Sequence, residues 1–491
     1  MIRNPVIKLV LFYLISISFI LLNGWFVIKK DTLAFNALPV FLCIILFVVF
    51  SFDKIIYIIT FFTPLSIPLS QLFPWLSFDM YLPTEPLLFG LLLIFLLKLI
   101  HERSFDRRIL QHPVSLAIYI NLFWILLTSL SSTMPMVSFK FLLSRAWFVV
   151  GIYFLITKLF IEGKHLERFV WLYVIPLIAV IIYSTVRHLE FGLWNKQAAH
   201  FVVQPFYNDH TAYGAILAFY LPFLAMFSFN RIYSRNVRLI SLAAFSLLLL
   251  GFILSYSRAA WVSMVVALTV FGIVKLKIRF RPLFITFVTL LALVLVFQTQ
   301  IFMRLEQNSK QSSADFRTHI SSISNISSDA SNLERINRWS CAIRMFEDKP
   351  IFGFGPGTYM FKYAPYQLNK DRTIISTNSG DRGNAHSEYL GPLSESGILG
   401  LLTFLLIIGF VVYTAVQTYM RLTDKRLKSF VLAALVGLTT YYIHGFLNNF
   451  LDTDKLSVPF WGFTAMIVAI DLYSRKENQT QKNPDLKGPD L

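Results

Sequence analysis

Hydrophobic positions dominate this chain and come in long blocks separated by short polar stretches, rather than alternating along strands or marking one face of surface helices. The blocks lie at approximately 7–28, 35–51, 53–68, 84–100, 113–131, 142–160, 167–186, 209–229, 237–255, 259–276, 281–299, 396–418, 428–447 and 456–473. A bilayer-crossing helix needs roughly 20 apolar residues, so the pattern predicts about fourteen spans. The expected fold class is an all-α membrane protein, a polytopic helical bundle of about 12–14 transmembrane helices, because in lipid only helices and closed barrels satisfy their backbone polar groups. The expected division places helices 1–11 in 1–299, one large loop containing short helices in 300–395, helices 12–14 in 396–473, and a polar, disordered tail in 474–491. Ile7–Ile28 follows Arg3 and Lys8 as a secretory signal would, but it lacks a small-residue cleavage site and exceeds a signal core, so it reads as a retained first helix. Pro64 and Pro68 make the second and third blocks a candidate broken or re-entrant pair.

Within the loop, Asn308–Asn332 is rich in Ser and Asn and reads as mobile. Ser331–Lys349 carries Leu333, Ile336, Trp339, Ile343 and Phe346 at helical spacing and stops at Pro350. A turn follows at Gly353, Gly355, Pro356 and Gly357, then an aromatic stretch through Tyr359, Phe361, Tyr363 and Tyr366. Those rings suit either stacking on sugar faces or packing the loop against the helices. Asn384–Gly397 leads into the next span.

Charge refines this picture. With 56% hydrophobic and 14% charged residues the chain is no soluble globular protein, and a formal net charge of +17 raises the question of a nucleic-acid partner. The basic residues instead sit in clusters on alternate connections: Arg103, Arg107 and Arg108; Lys158, Lys164 and Arg168; Arg231, Arg235 and Arg238; then Lys275 to Arg281, Arg421 to Lys428, and Arg475 with Lys476. That is the distribution that orients spans with positive connections in the cytoplasm. No nucleic-acid partner is expected. Both termini are expected in the cytoplasm and the 300–395 loop outside, in the periplasm of a cell with two membranes; Lys29 and Lys30 fall on the opposite side from this rule. Cys43 and Cys341 are too few for a disulfide framework or a thiolate metal site.

Ionisable groups near or within spans are costly and therefore mark candidate chemistry. Arg258, in SYSRAAW, occupies a break of a few residues between two apolar blocks on the outer side, where positive charge opposes the orienting rule. An outward guanidinium there suits phosphate oxygens, the alternative being an arginine that snorkels to headgroups. Arg335 and Arg338, in LERINRW, stand i and i+3 on the loop helix and share one face, suited to a second phosphate or simply to solvent. His386, in NAHSEYLGPLSESGILG, is suited to taking a proton from a hydroxyl near neutral pH, with Glu388 or Glu395 to orient it. In QPFYNDHTAYG, Asn208, Asp209 and His210 form either a helix cap or a hydroxyl-binding cluster. Arg145, in FLLSRAWFVV, is an intramembrane charge requiring a partner or a wet cavity, which Lys140 would share. The sequence holds no GKS or GKT phosphate loop, no dinucleotide-binding glycine fingerprint and no HExxH, which speaks against an energy-coupled pump.

The SRAAW break, the ERINRW helix, the PIFGFGPGTY turn and the AHSEYLGPLSESGILG re-entry, in this order over roughly residues 200–450, resemble the O-antigen ligase and polymerase family; FYNDHTAYG and YYIHGFLNNFLDTDK extend the likeness. The resemblance implies a GT-C-like bacterial inner-membrane glycosyltransferase of lipopolysaccharide biosynthesis, with its site facing the periplasm. It implies metal-independent, inverting transfer, without cofactor, from an undecaprenyl-diphosphate-linked glycan to a hydroxyl of lipid A core or another glycan acceptor. By position, Arg258 and Arg335 or Arg338 would hold the diphosphate and His386 would be the general base, with Arg145, Asn208, His210, Glu388 and Tyr389 as glycan or supporting contacts. Ser387 stands where many relatives have Asn. A single extended outer loop favours a ligase over a polymerase. The rival of another class is a transporter of lipid-linked oligosaccharide or a small anion, which would ordinarily show an internal repeat that this sequence lacks.

Overall fold

The computed structural model describes residues 13, 17–23, 25, 52–72, 80–102, 105–161, 163–278, 330–369, 372, 376 and 383–482. The chain divides into Met1–Ile55 and Ile56–Leu491, and everything below concerns the second unit. The expected spans at 35–51 and 281–299, most of that at 7–28, and most of the mobile stretch 308–332 lie outside the described residues.

Nine helices long and apolar enough to cross a membrane are present among the described residues, at the positions of nine of the apolar blocks. The protein is an all-α polytopic membrane protein. We label its helices α1 (Thr84–Glu102), α2 (Pro113–Leu130), α3 (Pro135–Phe160, with a π-helical turn at Val149–Phe154), α4 (Leu166–Phe191), α5 (His210–Phe229), α6 (Arg235–Leu254), α7 (Arg258–Lys275), α8 (Ala330–Asp348), α9 (Leu390–Arg421), α10 (Lys425–His444) and α11 (Asp454–Lys482). Of these, α1 carries only a short apolar window and α8 is amphipathic; the other nine are the membrane-length helices. The polar stretch after 473 begins as a continuation of α11 rather than as a tail.

Local chemistry starts and stops these helices. Proline opens α2 and α3, where its missing N–H costs nothing. Asp209, Ser234, Ser257 and Asp424 cap α5, α6, α7 and α10 through side-chain oxygens that receive first-turn N–H groups. Around Pro64 the chain leaves helical geometry for a 3₁₀ turn at Thr63–Leu65, and β1 (Ile67–Pro68) pairs antiparallel with β2 (Tyr81–Leu82) just before α1. Of the expected broken pair, the third block leaves its helix at Phe62 for this turn and short hairpin, and the second lies outside the described residues. Asp454 pins that hairpin to α11 by accepting from Ser66 Oγ (2.5 Å) and from the Thr84 hydroxyl.

Burial sorts the bundle. Of their most apolar windows, α11, α10 and α5 bury 94%, 83% and 78%, whereas α7 buries 22%, so the first three form the interior and α7 presents most of its surface to lipid. One end of the bundle gathers the α2–α3 and α10–α11 connections against residues 350–369 and 383–389, as Thr133 N to Phe354 O (2.9 Å) and Glu388 N to Gly445 O (2.8 Å) show; we call it the head end. The opposite end carries the basic connections and a buried Asp471, which accepts from Arg421 (2.5 Å), Arg475 (2.7 Å) and Thr418 (2.7 Å).

Candidate functional site

The head segment has its own small core. Helix α8 turns Cys341, Ala342 and Met345 inward against Phe354, Tyr359, Tyr363 and Ala385. Three of the four expected aromatics are thus packing residues, Tyr359 and Tyr363 stacked on each other at 5.4 Å and Tyr366 edge-on to Phe354 at 5.8 Å, while Phe361 is exposed. Past Pro350, the chain runs beside the start of α9. Phe354 N donates to Ser394 O (3.3 Å), Gly355 N to Glu395 O (2.7 Å), and Ile398 N to Pro350 O (2.9 Å). Gly397 interrupts α9 with φ 69°, ψ −169°, and a Cβ there would stand 2.0 Å from Ile351 O. At Gly353, φ 65°, a Cβ would stand 2.3 Å from the Glu395 carbonyl carbon. The glycine turn and the SESG re-entry are each other's packing partners, and the backbones meet this closely because neither glycine has a side chain.

This docking fixes the two carboxylates considered as partners of His386. Glu395 Oε1 accepts from Tyr359 N (2.8 Å), and Glu388 Oε1 accepts from Tyr441 Oη (2.5 Å), Phe450 N (2.8 Å) and Leu451 N (2.9 Å). Burial pushes the Glu388 carboxyl up despite these donors. Tyr389 Oη donates to Tyr442 O (2.7 Å). Glu388 and Tyr389 tie the re-entry to the end of α10, their side-chain bonds running to α10 and its following loop.

His386 itself sits at φ 47°, a left-handed conformation uncommon for a residue with a side chain. Its N–H donates to Asn384 Oδ1 (3.1 Å), and its carbonyl accepts from the Trp339 indole (3.4 Å), so α8 and the 384–387 turn hold it from both sides. Burial first, then the Arg335 and Arg338 charges, push its imidazole down to about 4, with Asp209 and Glu334 acting in the opposite sense. At neutral pH it is unprotonated and able to accept a proton.

The two arginines of α8 have different surroundings. Arg338 is buried, donates from Nε to Glu334 Oε1 (2.7 Å), lies 3.9 Å over the Tyr363 ring and fills the space beside Gly383. Its carbonyl accepts from Tyr359 Oη (2.7 Å). Arg335 is half-buried, and its charge acts on His386, His210 and His444 together.

Arg258 is the first residue of α7, half-buried beneath the Ser257 cap, and its charge reaches His210 and Lys196. His210 opens α5 with its ring edge-on to His200, centroids 4.0 Å apart. Asp209 is the cap, accepting from Thr211 N (2.7 Å) and Ala212 N (2.8 Å), while Asn208 is exposed and donates to Tyr81 Oη (2.9 Å). Arg145 lies 3.6 Å from Asp452 of the α10–α11 connection, and Lys140, expected to share its cavity, is exposed. The head end therefore brings Arg258, Arg335, His210 and His386 into one electrostatic neighbourhood and leaves Arg145 in another shared with Glu388 and Glu395. Sequence reasoning passed over His200 and His444 as chemistry. Their position at the outer ends of apolar blocks, level with His210 and His386, was the available signal.

Residues 243–405 match the family model described as O-antigen ligase. The matched stretch runs from α6 into α9 and includes Arg258, Arg335, Arg338, His386 and the Gly397 kink. No curated protein matches the chain.

Proposed function

We propose, from the assignment of this chain to the O-antigen ligase and polymerase family, that it is a ligase-type glycosyltransferase moving a glycan from undecaprenyl diphosphate to a hydroxyl of lipid A core. The observation that carries the reading is the gathering at the head end of two arginines from separate elements, Arg258 of α7 and Arg335 of α8, whose charges both act on His210 while that of Arg335 also acts on the unprotonated His386. In this account the acceptor oxygen attacks the anomeric carbon from the face opposite the diphosphate, and its proton passes to His386. The bond between the anomeric carbon and the phosphate oxygen breaks, and its electron pair leaves on the diphosphate. Arg258 and Arg335 meet that growing charge without a metal in surroundings where water is scarce, which strengthens the interaction. The diphosphate also opposes the arginine charges that hold His386 down, so the donor's arrival strengthens the base.

The bias of basic connections toward the opposite end supports placing the head end in the periplasm and both termini in the cytoplasm of the inner membrane. Polymerisation within the same site differs only in the acceptor. The test is reconstitution of the full chain in vesicles with EDTA, a lipid-linked glycan and lipid A core. Glycosylated lipid A core supports the ligase. A lengthened donor glycan makes the protein a polymerase, and donor crossing the vesicle without a new glycosidic bond overturns the enzyme reading in favour of a transporter.

A further inference from the structure

Two imidazoles at the head end have no part in the mechanism above. His444, the last residue of α10, is 1% exposed, lying against Tyr441 and Phe450. Its Nε2 lies 3.1 Å from Asn448 Nδ2. An amide nitrogen only donates, so with the Asn448 amide oriented in this way Nε2 accepts and the ring proton is assigned to Nδ1. That Nδ1 is buried and has no hydrogen-bond partner among the described residues. His210 Nδ1 is likewise buried without a partner among them. Both rings lie within electrostatic reach of Arg335 and of each other. Buried polar groups are nearly always paired, so two ring nitrogens without a partner among the described residues, both within electrostatic reach of one guanidinium, point to a partner that arrives with a ligand. The partner of a buried N–H is an oxygen, and beside Arg335 an anionic oxygen is preferred. The first N–H groups of α5 are occupied by Asp209, so this end of α5 offers the His210 ring rather than free amides.

We propose that His444 and His210 form a phosphate-oxygen subsite for the donor diphosphate, each giving one imidazole hydrogen bond beside Arg335. This rests on the proposed function, since it deepens the same donor site. The subsite adds donors to the leaving group without adding a further guanidinium near His386, so it holds the diphosphate while leaving the base unprotonated.

The test uses the full chain in nanodiscs, titrated separately with undecaprenyl diphosphate and inorganic diphosphate and followed by thermal stabilisation, alongside donor KM and kcat. His444→Phe and His210→Phe are each expected to weaken both ligands about 10-fold, the effect of one hydrogen bond to a charged group, and to raise donor KM to match while kcat changes by less than about 3-fold. Should His444→Phe not fold, His444→Gln, which keeps an acceptor for the Asn448 amide, carries the same expectation. Wild-type affinity for both diphosphates in the histidine variants, with Arg335→Ala losing them, overturns the subsite alone. Wild-type affinity in Arg335→Ala as well overturns the donor site on which the subsite rests.

Discussion

Replacing Gly397 with alanine tests the way the head end is assembled. The residue's φ 69°, ψ −169° belongs to a region that only glycine occupies readily, and holding alanine there costs about 1–3 kcal/mol. The new Cβ would also stand 2.0 Å from Ile351 O and 2.6 Å from Pro350 O, both backbone atoms that cannot rotate aside. Relief requires the 350–355 strand to lift from α9, which breaks the bonds from Ile398 N to Pro350 O and from Gly355 N to Glu395 O. We expect a total cost above about 3 kcal/mol. Gly353→Ala attacks the same contact from the other side, so the double variant should lose less than the sum of the singles. Gly409→Ala is the control, because nothing lies within 4 Å of its Cβ position. The assay is thermal denaturation of detergent-purified protein read by fluorescence-detected size exclusion. Gly397→Ala should lower the apparent midpoint by roughly 5 °C or more, with Gly409→Ala within about 2 °C of wild type. A Gly397→Ala protein that melts and transfers like wild type would refute the close backbone docking.

Three further outcomes follow from the same geometry. Arg338→Ala leaves Glu334 buried without its ion pair and should destabilise the protein by about 3–5 kcal/mol, whereas Arg335→Ala should retain wild-type melting and lose donor binding; the paired melting curves and KM values check this. For His386, the folded imidazole is pushed down to about 4 from an ordinary 6.5, so the unfolded chain binds the proton more tightly and stability is lost as pH falls from 6.5 towards 4. The acid limb of kcat/KM should accordingly lie below the ordinary histidine range, and Arg335→Ala, by removing a repelling charge, should move it upward in a pH–rate profile. Glu388→Gln weakens a carboxylate that accepts three donors and should cost about 2 kcal/mol, visible in melting, while leaving the position of that acid limb unchanged.

Hydropathy made the membrane helices legible because a span has one dominant requirement, length of apolar chain, which survives any detail of packing. The existence of helix α8 was legible from its spacing and the stop at Pro350, but its buried face was not, since Ile336 and Ile343 are exposed and Cys341, Ala342 and Met345 turn inward. Arg258 stood out because its charge opposes the orienting rule, and His386 because it precedes a re-entering helix in a motif seen as a whole. What separates Arg335 from Arg338 was not legible, since i and i+3 arginines on one helix are equivalent until Tyr363 and Gly383, far along the chain, enclose only one of them. Glu388 and Glu395 looked like partners for His386 because sequence shows nearness along the chain. In the fold they hold backbone N–H groups of 450–451 and of 359, which only tertiary docking brings to them. The Asp452 partner of Arg145 was hidden for the same reason, three hundred residues away.

The central claim is that Arg258 and His386 act on one glycosyl transfer, the first on the leaving diphosphate and the second on the acceptor proton. Single-turnover transfer from undecaprenyl-diphosphate glycan to lipid A core, with EDTA present, compares wild type, Arg258→Ala and His386→Ala in nanodiscs after matched melting curves. The account predicts metal-independent wild-type transfer and a loss of roughly 100-fold or more in each variant with the fold intact. Transfer at the wild-type rate by either folded variant would contradict it.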